Sequence, residues 1–246
     1  MVQGRGAKVV DVSIAAKWLQ PAAVLFLFAS LAAWAEAAEA GPLLLGRSEL
    51  GRPIIVWKRG DAHARNRILV VGCIHGNECA GAAIVTSLEH TALPPDTALW
   101  LIPDLNPDGA AARTRGDARG VDLNRNFPWR WQRQEGLFDS GARPLSERES
   151  RIAYRLILTY RPTVSIWFHQ HANLVDESGG TPAIEERFAD RVRLPFRRLP
   201  RYPGSVVGWE NHVFPTSTAF VVELPSRAPG RSDVRRFAAA TVAVAE

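Results

Sequence analysis

The chain has 246 residues, 46% of them hydrophobic and 22% charged, a balance that excludes disordered, collagen-like and repeat architectures. The formal charge is +5, from 30 basic and 25 acidic residues, and after residue 40 all basic residues except Lys58 are arginines scattered along the chain. No finger, recognition-helix or aromatic-basic motif accompanies that charge, so no nucleic-acid partner is expected.

At the N-terminus Arg5, Lys8 and Lys17 precede an apolar run from Ala22 to Ala35, followed by small residues at Ala35, Ala37, Ala38 and Ala40. This is the layout of a secretory signal. The run is shorter than the roughly 20 residues that a bilayer span needs. Residues 1–40 are therefore expected to be a leader, and residues 41–246 an exported domain in the periplasm or outside the cell, without stable membrane insertion. An uncleaved N-terminal anchor is the competing reading. Residues 41–246 are enough for one sizeable core without a disulfide framework. Cys73 and Cys79, six positions apart, read as two buried small thiols rather than a local disulfide.

Short apolar, β-branched runs predict buried strands at Ile54–Trp57, Ile68–Cys73, Ala98–Ile102, Val164–Phe168 and Ala219–Leu224. Helical patterns lie between and after them, over Glu78–His90, Ser146–Tyr160, Ala183–Val192 and Ser232–Ala245. Ser146 and Glu149 have the spacing of a capping box, and Pro162 announces the end of that helix. The alternation predicts an α/β fold, a mixed and mostly parallel central sheet with helices on both faces. Chemistry in such sheets sits beyond the carboxyl ends of the strands. Asn106–Leu145 and Leu194–Asn211 lack a period and read as long, functional loops.

Three strand ends carry groups suited to that chemistry. The strand ending at Cys73 runs into His75-Gly76-Asn77-Glu78, which brings an imidazole and a carboxylate to one strand-to-helix turn. A catalytic zinc takes three protein ligands and leaves a fourth position for water. The strand Val164–Phe168 ends in His169-Gln170-His171, and either histidine could supply the third ligand, because both face the same way in an extended chain. The strand Ala219–Leu224 holds Glu223, a carboxylate costly at an apolar strand end unless paired or functional.

The loop between these strands carries Asn106-Pro107-Asp108-Gly109, Arg115 and Asp122-Leu123-Asn124-Arg125-Asn126-Phe127. Together with His75, Glu78, a strand-end histidine and a late strand-end glutamate, in this order, the set resembles the zinc metallocarboxypeptidases, above all the compact bacterial branch of murein tripeptide amidases. The resemblance spans roughly Leu50 to Pro225. It implies one zinc per chain, held by His75, Glu78 and His169, with Glu223 as general base. It further implies that Asn124 and Arg125 bind a substrate's terminal carboxylate and that Arg115, with Arg113 as competitor, polarises the scissile carbonyl. The substrate would be a peptide with a free C-terminal carboxylate, a cell-wall peptide ending in γ-D-glutamyl-diaminopimelate being one case. His171 is not part of the family pattern. The short interval from His169 to Glu223 means that part of the specificity pocket of larger members is absent or reshaped, and Tyr202 is the nearest counterpart of their closing tyrosine. Competing readings are an N-acyl amino acid desuccinylase or deacylase, an inactive peptide-binding member of the fold, and a thiol hydrolase using Cys73 or Cys79.

Overall fold

In the computed structural model, Met1, residues 41–61 and residues 63–244 are described; the leader expected over residues 1–40 lies outside the described residues. The described chain folds around a seven-stranded sheet: β1 (Gly41–Arg47), β2 (Pro53–Gly60), β3 (Asn66–Val71), β4 (Thr97–Ile102), β5 (Val164–Asp176), β6 (Phe196–Arg197) and β7 (Thr218–Pro225). The strand order is β1-β2-β4-β3-β5-β6, and β7 also pairs with β5. The β1–β2 and β2–β4 ladders are antiparallel, whereas β3–β4, β3–β5, β5–β6 and β5–β7 are parallel. The sheet is thus mixed and mostly parallel, as the alternation of elements predicts.

The apolar runs of β3, β5 and β7 have no polar face because both sides of the sheet are covered. Ile68 and Val70 of β3, Ile166 and Phe168 of β5, and Phe220 and Val222 of β7 point to one side. There they pack against helices α1 (Gly81–Leu88), α4 (Pro182–Val192) and α6 (Arg231–Val242), through Ile84, Phe188 and Phe237 among others. Their neighbours Leu69, Val71, Trp167, Ala219 and Val221 point to the other side, against helices α3 (Arg148–Tyr160) and α5 (Val206–Val213). This period-two partition of buried residues is what a sheet sandwiched between helices demands.

Several elements depart from expectation. The helix expected from Glu78 begins only at Gly81, because residues 75–80 form the turn that carries the site. The capping box expected at Ser146 and Glu149 does not form. Helix α3 starts after Glu147, and the Ser146 hydroxyl instead accepts from the Asn126 amide at 2.9 Å and donates to Glu147 at 2.5 Å. The aperiodic stretches contain helix α2 (Pro107–Ala112) and helix α5, which Ser205 caps by accepting from Gly208 N–H. β1 was not expected either; it is an edge strand whose Leu43 and Leu44 are exposed. β5 runs on past Phe168 through residues that are largely polar, held by continued pairing to β7 and then β6.

Candidate active site

The parallel order β3-β5-β7 brings three carboxyl ends side by side, and the reactive groups sit there. After β3 the chain turns at Gly76, where a Cβ would overlap the backbone of Gly109, so the loop bearing His75 lies flush against α2. Glu78 N–H closes this turn on the His75 carbonyl at 2.9 Å. The Asn106-Pro107-Asp108-Gly109 segment is the brace beneath it. Asn106, fully buried, donates to the Ile74 carbonyl at 3.2 Å and accepts from Gly109 N–H at 2.9 Å, capping α2 with Pro107 in its first turn. Asp108 accepts from Leu50 N–H at 2.9 Å and from Arg52 at 2.6 Å.

His75, Glu78 and His169 converge. His75 Nδ1 lies 3.0 Å from Glu78 Oε2, and His169 Nδ1 lies 3.1 Å from each of these atoms. Two imidazole nitrogens facing each other and a carboxylate oxygen make a donor set suited to a cation. A tetrahedral zinc with bonds of about 2.0–2.1 Å holds its ligand atoms about 3.3 Å apart, so the triangle fits that ion. His171, by contrast, is exposed at the cleft rim and outside the triangle, so the geometry selects His169.

Asp122 supports this triangle from behind. It is fully buried; its Oδ1 lies 2.9 Å from His75 Nε2, and its Oδ2 accepts from Arg115 Nε at 2.9 Å. Burial alone would raise the Asp122 carboxyl, but His75, Arg115 and Arg125 outweigh it and hold the group well below the usual carboxylate range. Burial likewise opposes ionisation of Glu78, and its contacts with His169 and His75 outweigh that and hold the carboxyl below the usual range. Arg115 Nη1 reaches Glu78 Oε1 at 2.7 Å, which ties the two carboxylates together. Arg113 stands apart, exposed in left-handed conformation at the C-terminus of α2. Asp122 was not singled out in the sequence, although it stands inside the quoted motif; only the fold shows that its side chain turns toward His75.

A cleft of about 320 Å³ opens over these groups, lined by His75, Glu78, Arg115, Asn124, Arg125 and His169 together with Tyr202 and Glu223. Glu223 is opposite His169 in the β5–β7 register and accepts from Ala172 N–H at 3.3 Å. Asn124 fixes the N-terminus of α5 by accepting from Val206 N–H at 2.9 Å. Arg125 is buried; one of its Nη atoms donates to the Asn124 carbonyl at 2.8 Å, while its Nε has no partner among the described residues. Tyr202, 47% exposed, lies 4.3 Å over the Arg125 guanidinium. Gly204, at φ +72°, lets the Tyr202 loop press against the Arg125 backbone, which a Cβ there would clash with. The cysteines differ from expectation: Cys73 and Cys79 form a disulfide, with Cα atoms 4.5 Å apart, across the turn that carries His75. Neither sulfur is then a thiol nucleophile, which removes the thiol hydrolase reading.

An α/β sheet with two histidines and a glutamate at its strand ends, and a further carboxylate and a buried arginine lining the same cleft, is the arrangement of a metal-dependent hydrolase. The zinc carboxypeptidase family profile matches residues 40–176, and the chain belongs to that family. Murein peptide amidase A of Escherichia coli K12 is 29% identical over 180 residues, covering 67% of this chain and 74% of that protein. The protein of the same name from Vibrio campbellii is 30% identical over 190 residues, covering 69% and 74%. Among solved structures, murein-tripeptide amidase MpaA from Escherichia coli O157 superposes with a TM-score of 0.68 at 25% identity, over 86% of this chain and 94% of that one. Carboxypeptidase A from Helicoverpa armigera, 16% identical, shares the fold with a TM-score of 0.66 over 82% and 68%. The protein is accordingly a metallocarboxypeptidase-type hydrolase. The family profile ends at Asp176, so Glu223 lies beyond the matched segment.

Proposed function

We propose that this enzyme hydrolyses the amide bond preceding a free C-terminal carboxylate, with an exported cell-wall peptide ending in γ-D-glutamyl-diaminopimelate as its substrate. The observation that carries the reading is the buried Arg125, which lines the same cleft as the His75–Glu78–His169 triangle and Glu223 and whose Nε has no partner among the described residues. A buried guanidinium with spare donors is costly until an anion arrives, and its planar fork suits a carboxylate. The names of the two murein amidase relatives point to the cell wall, and the signal-like layout of residues 1–40 agrees with export.

His75, Glu78 and His169 would hold the zinc, which when bound supplies Lewis acidity and brings the pKa of its water to about 7. Glu223 takes the proton of the attacking water and returns it to the leaving amine nitrogen. Arg115, anchored by Glu78 and Asp122, presents its remaining N–H groups to the oxygen on which charge develops. Arg125 and Asn124 hold the terminal carboxylate, and Tyr202 covers it. The test is digestion of L-Ala-γ-D-Glu-diaminopimelate and of its C-terminally amidated form by the zinc-loaded protein, with a chelated control. Chelator-sensitive release of diaminopimelate from the free acid alone is expected. Equal cleavage of the amidated form would overturn the carboxylate reading, and no release from zinc-bound protein would overturn the murein assignment.

A further inference from the structure

The cleft wall carries one ion pair that the reaction above does not use. Arg201 Nη1 donates to Asp176 Oδ2 at 2.9 Å, and both residues line the cleft. Asp176 ends β5 and its side chain is 5% exposed. Its Oδ1 accepts from Leu199 N–H at 2.7 Å, and its Oδ2 also accepts from the Ser178 hydroxyl at 2.7 Å. Three of the roughly four acceptor positions of a carboxylate are therefore filled. The same Ser178 oxygen accepts from Val221 N–H at 3.1 Å, which ties the cluster to β7 two residues before Glu223. The pair and the proposed base Glu223 line the same cleft.

Arg201 is differently placed. Its side chain is 36% exposed, and only one of its roughly five N–H donors is engaged within the described residues. Asp176 thus fixes the guanidinium while leaving most of its donors available to the cleft. Leu199, Val207 and Val221 supply apolar wall in the same cleft. An apolar lining that ends in a held guanidinium fits a chain of methylenes that ends in an anion.

We infer that Arg201, positioned by Asp176, reads a carboxylate at the far end of the side chain of the substrate's last residue, making the enzyme selective for C-terminal amino-dicarboxylic residues. This rests on the reading of the cleft as the site of a C-terminal residue, and it deepens that reading. Arg125 takes the carboxylate on the backbone of that residue and Arg201 takes the one on its side chain; diaminopimelate is a residue with both. A planar guanidinium offers bidentate recognition that a lysine cannot reproduce. An apolar side chain of equal length would cover the remaining Arg201 donors without giving them an acceptor, and sites built this way discriminate strongly.

The test pairs binding with turnover in the zinc-loaded protein. Calorimetry compares free 2-aminopimelate with 2-aminoheptanoate, which has the same chain length without the second carboxylate. Hydrolysis compares N-acyl peptides that end in these two residues. Wild-type protein is expected to bind 2-aminopimelate about 10–100-fold more tightly, the range of a charged hydrogen-bonded pair. Arg201→Gln is expected to bring the ratio near one, Arg201→Lys to retain part of it, and Asp176→Asn to weaken it. Equal affinity of wild-type protein for the two ligands, or an unchanged ratio in Arg201→Gln, would overturn the inference. Intact binding preference with no hydrolysis of either peptide would support the role of Arg201 while sinking the peptidase reading on which it was built.

Discussion

The Asp122 carboxylate and the His75 ring meet at 2.9 Å through Nε2, on the opposite edge from the Nδ1 that faces Glu78 and His169. An ionised Asp122 favours the His75 tautomer that carries its proton on Nε2, which would free Nδ1 to ligate a metal. Asp122→Asn is therefore expected to weaken zinc binding about 10–100-fold, the range of outer-shell changes. Competition with a chromophoric chelator measures it, and unchanged affinity would take Asp122 out of this role.

Among the described residues Glu223 hydrogen-bonds only a backbone amide, and it takes no part in the triangle. Glu223→Gln should accordingly retain one zinc per chain and wild-type stability while kcat falls about 10²–10⁴-fold, the range for a lost acid-base group. Metal content and single-turnover rates decide it: wild-type turnover would mean that another group moves the proton.

Arg125→Ala should act on recognition. We expect KM for peptides with a free terminal carboxylate to rise about 10–100-fold, as for a charged hydrogen bond, with amidated analogues little affected. Equal losses for both peptide forms would assign Arg125 a structural role instead.

Chelation should lower stability as well as stop turnover, because the three ligand atoms come from β5 and the loop after β3, and metal binds the folded state preferentially. The melting temperature of zinc-loaded protein is expected to exceed that of chelated protein and to rise with free zinc. A melting temperature insensitive to zinc would argue that the triangle holds no ion.

Glu210 provides a pH signature away from the metal. It is buried on α5, accepts from Ser165 through Oε1, and leaves Oε2 without a partner among the described residues; burial pushes its carboxyl up to about 7. A carboxyl whose pKa is higher folded than unfolded gives stability that is complete below about 4.5 and is lost as pH rises toward about 7. Glu210→Gln should therefore match wild type near pH 5 and exceed it near pH 8, by on the order of 2–3 kcal/mol. Urea unfolding at the two pH values tests this, and a difference independent of pH would contradict it.

The sheet was legible in the sequence because its central strands are buried on both faces, which leaves unbroken apolar runs such as Ile68–Cys73 and Val164–Phe168. The grouping of His75, Glu78 and His169 was legible because these residues stand at or just beyond the ends of those runs. What escaped were elements whose reason lies elsewhere in the chain. β5 past His169 shows no alternation because ladder pairing, not apolar burial, keeps it extended. Helix α5 hides in a stretch rich in Pro and Gly, and its start is fixed by Ser205 and by Asn124, far away in sequence. Ser146 matched a cap by spacing, but Asn126 claims its hydroxyl. The disulfide was missed because two cysteines six apart are equally compatible with two thiols; the turn through His75 is what brings them together.

The parallel ladder between β3 and β5, which sets Val71 beside Trp167, also acts as a check on assembly. A slip of one residue along that ladder would invert every β5 side chain, sending His169 to the face packed against α1, α4 and α6 and Phe168 to the opposite face. No metal triangle exists in such a chain. Zinc capture would therefore distinguish correctly threaded molecules from near misses of similar compactness, and the ion would serve as a witness to the topology as well as a reagent.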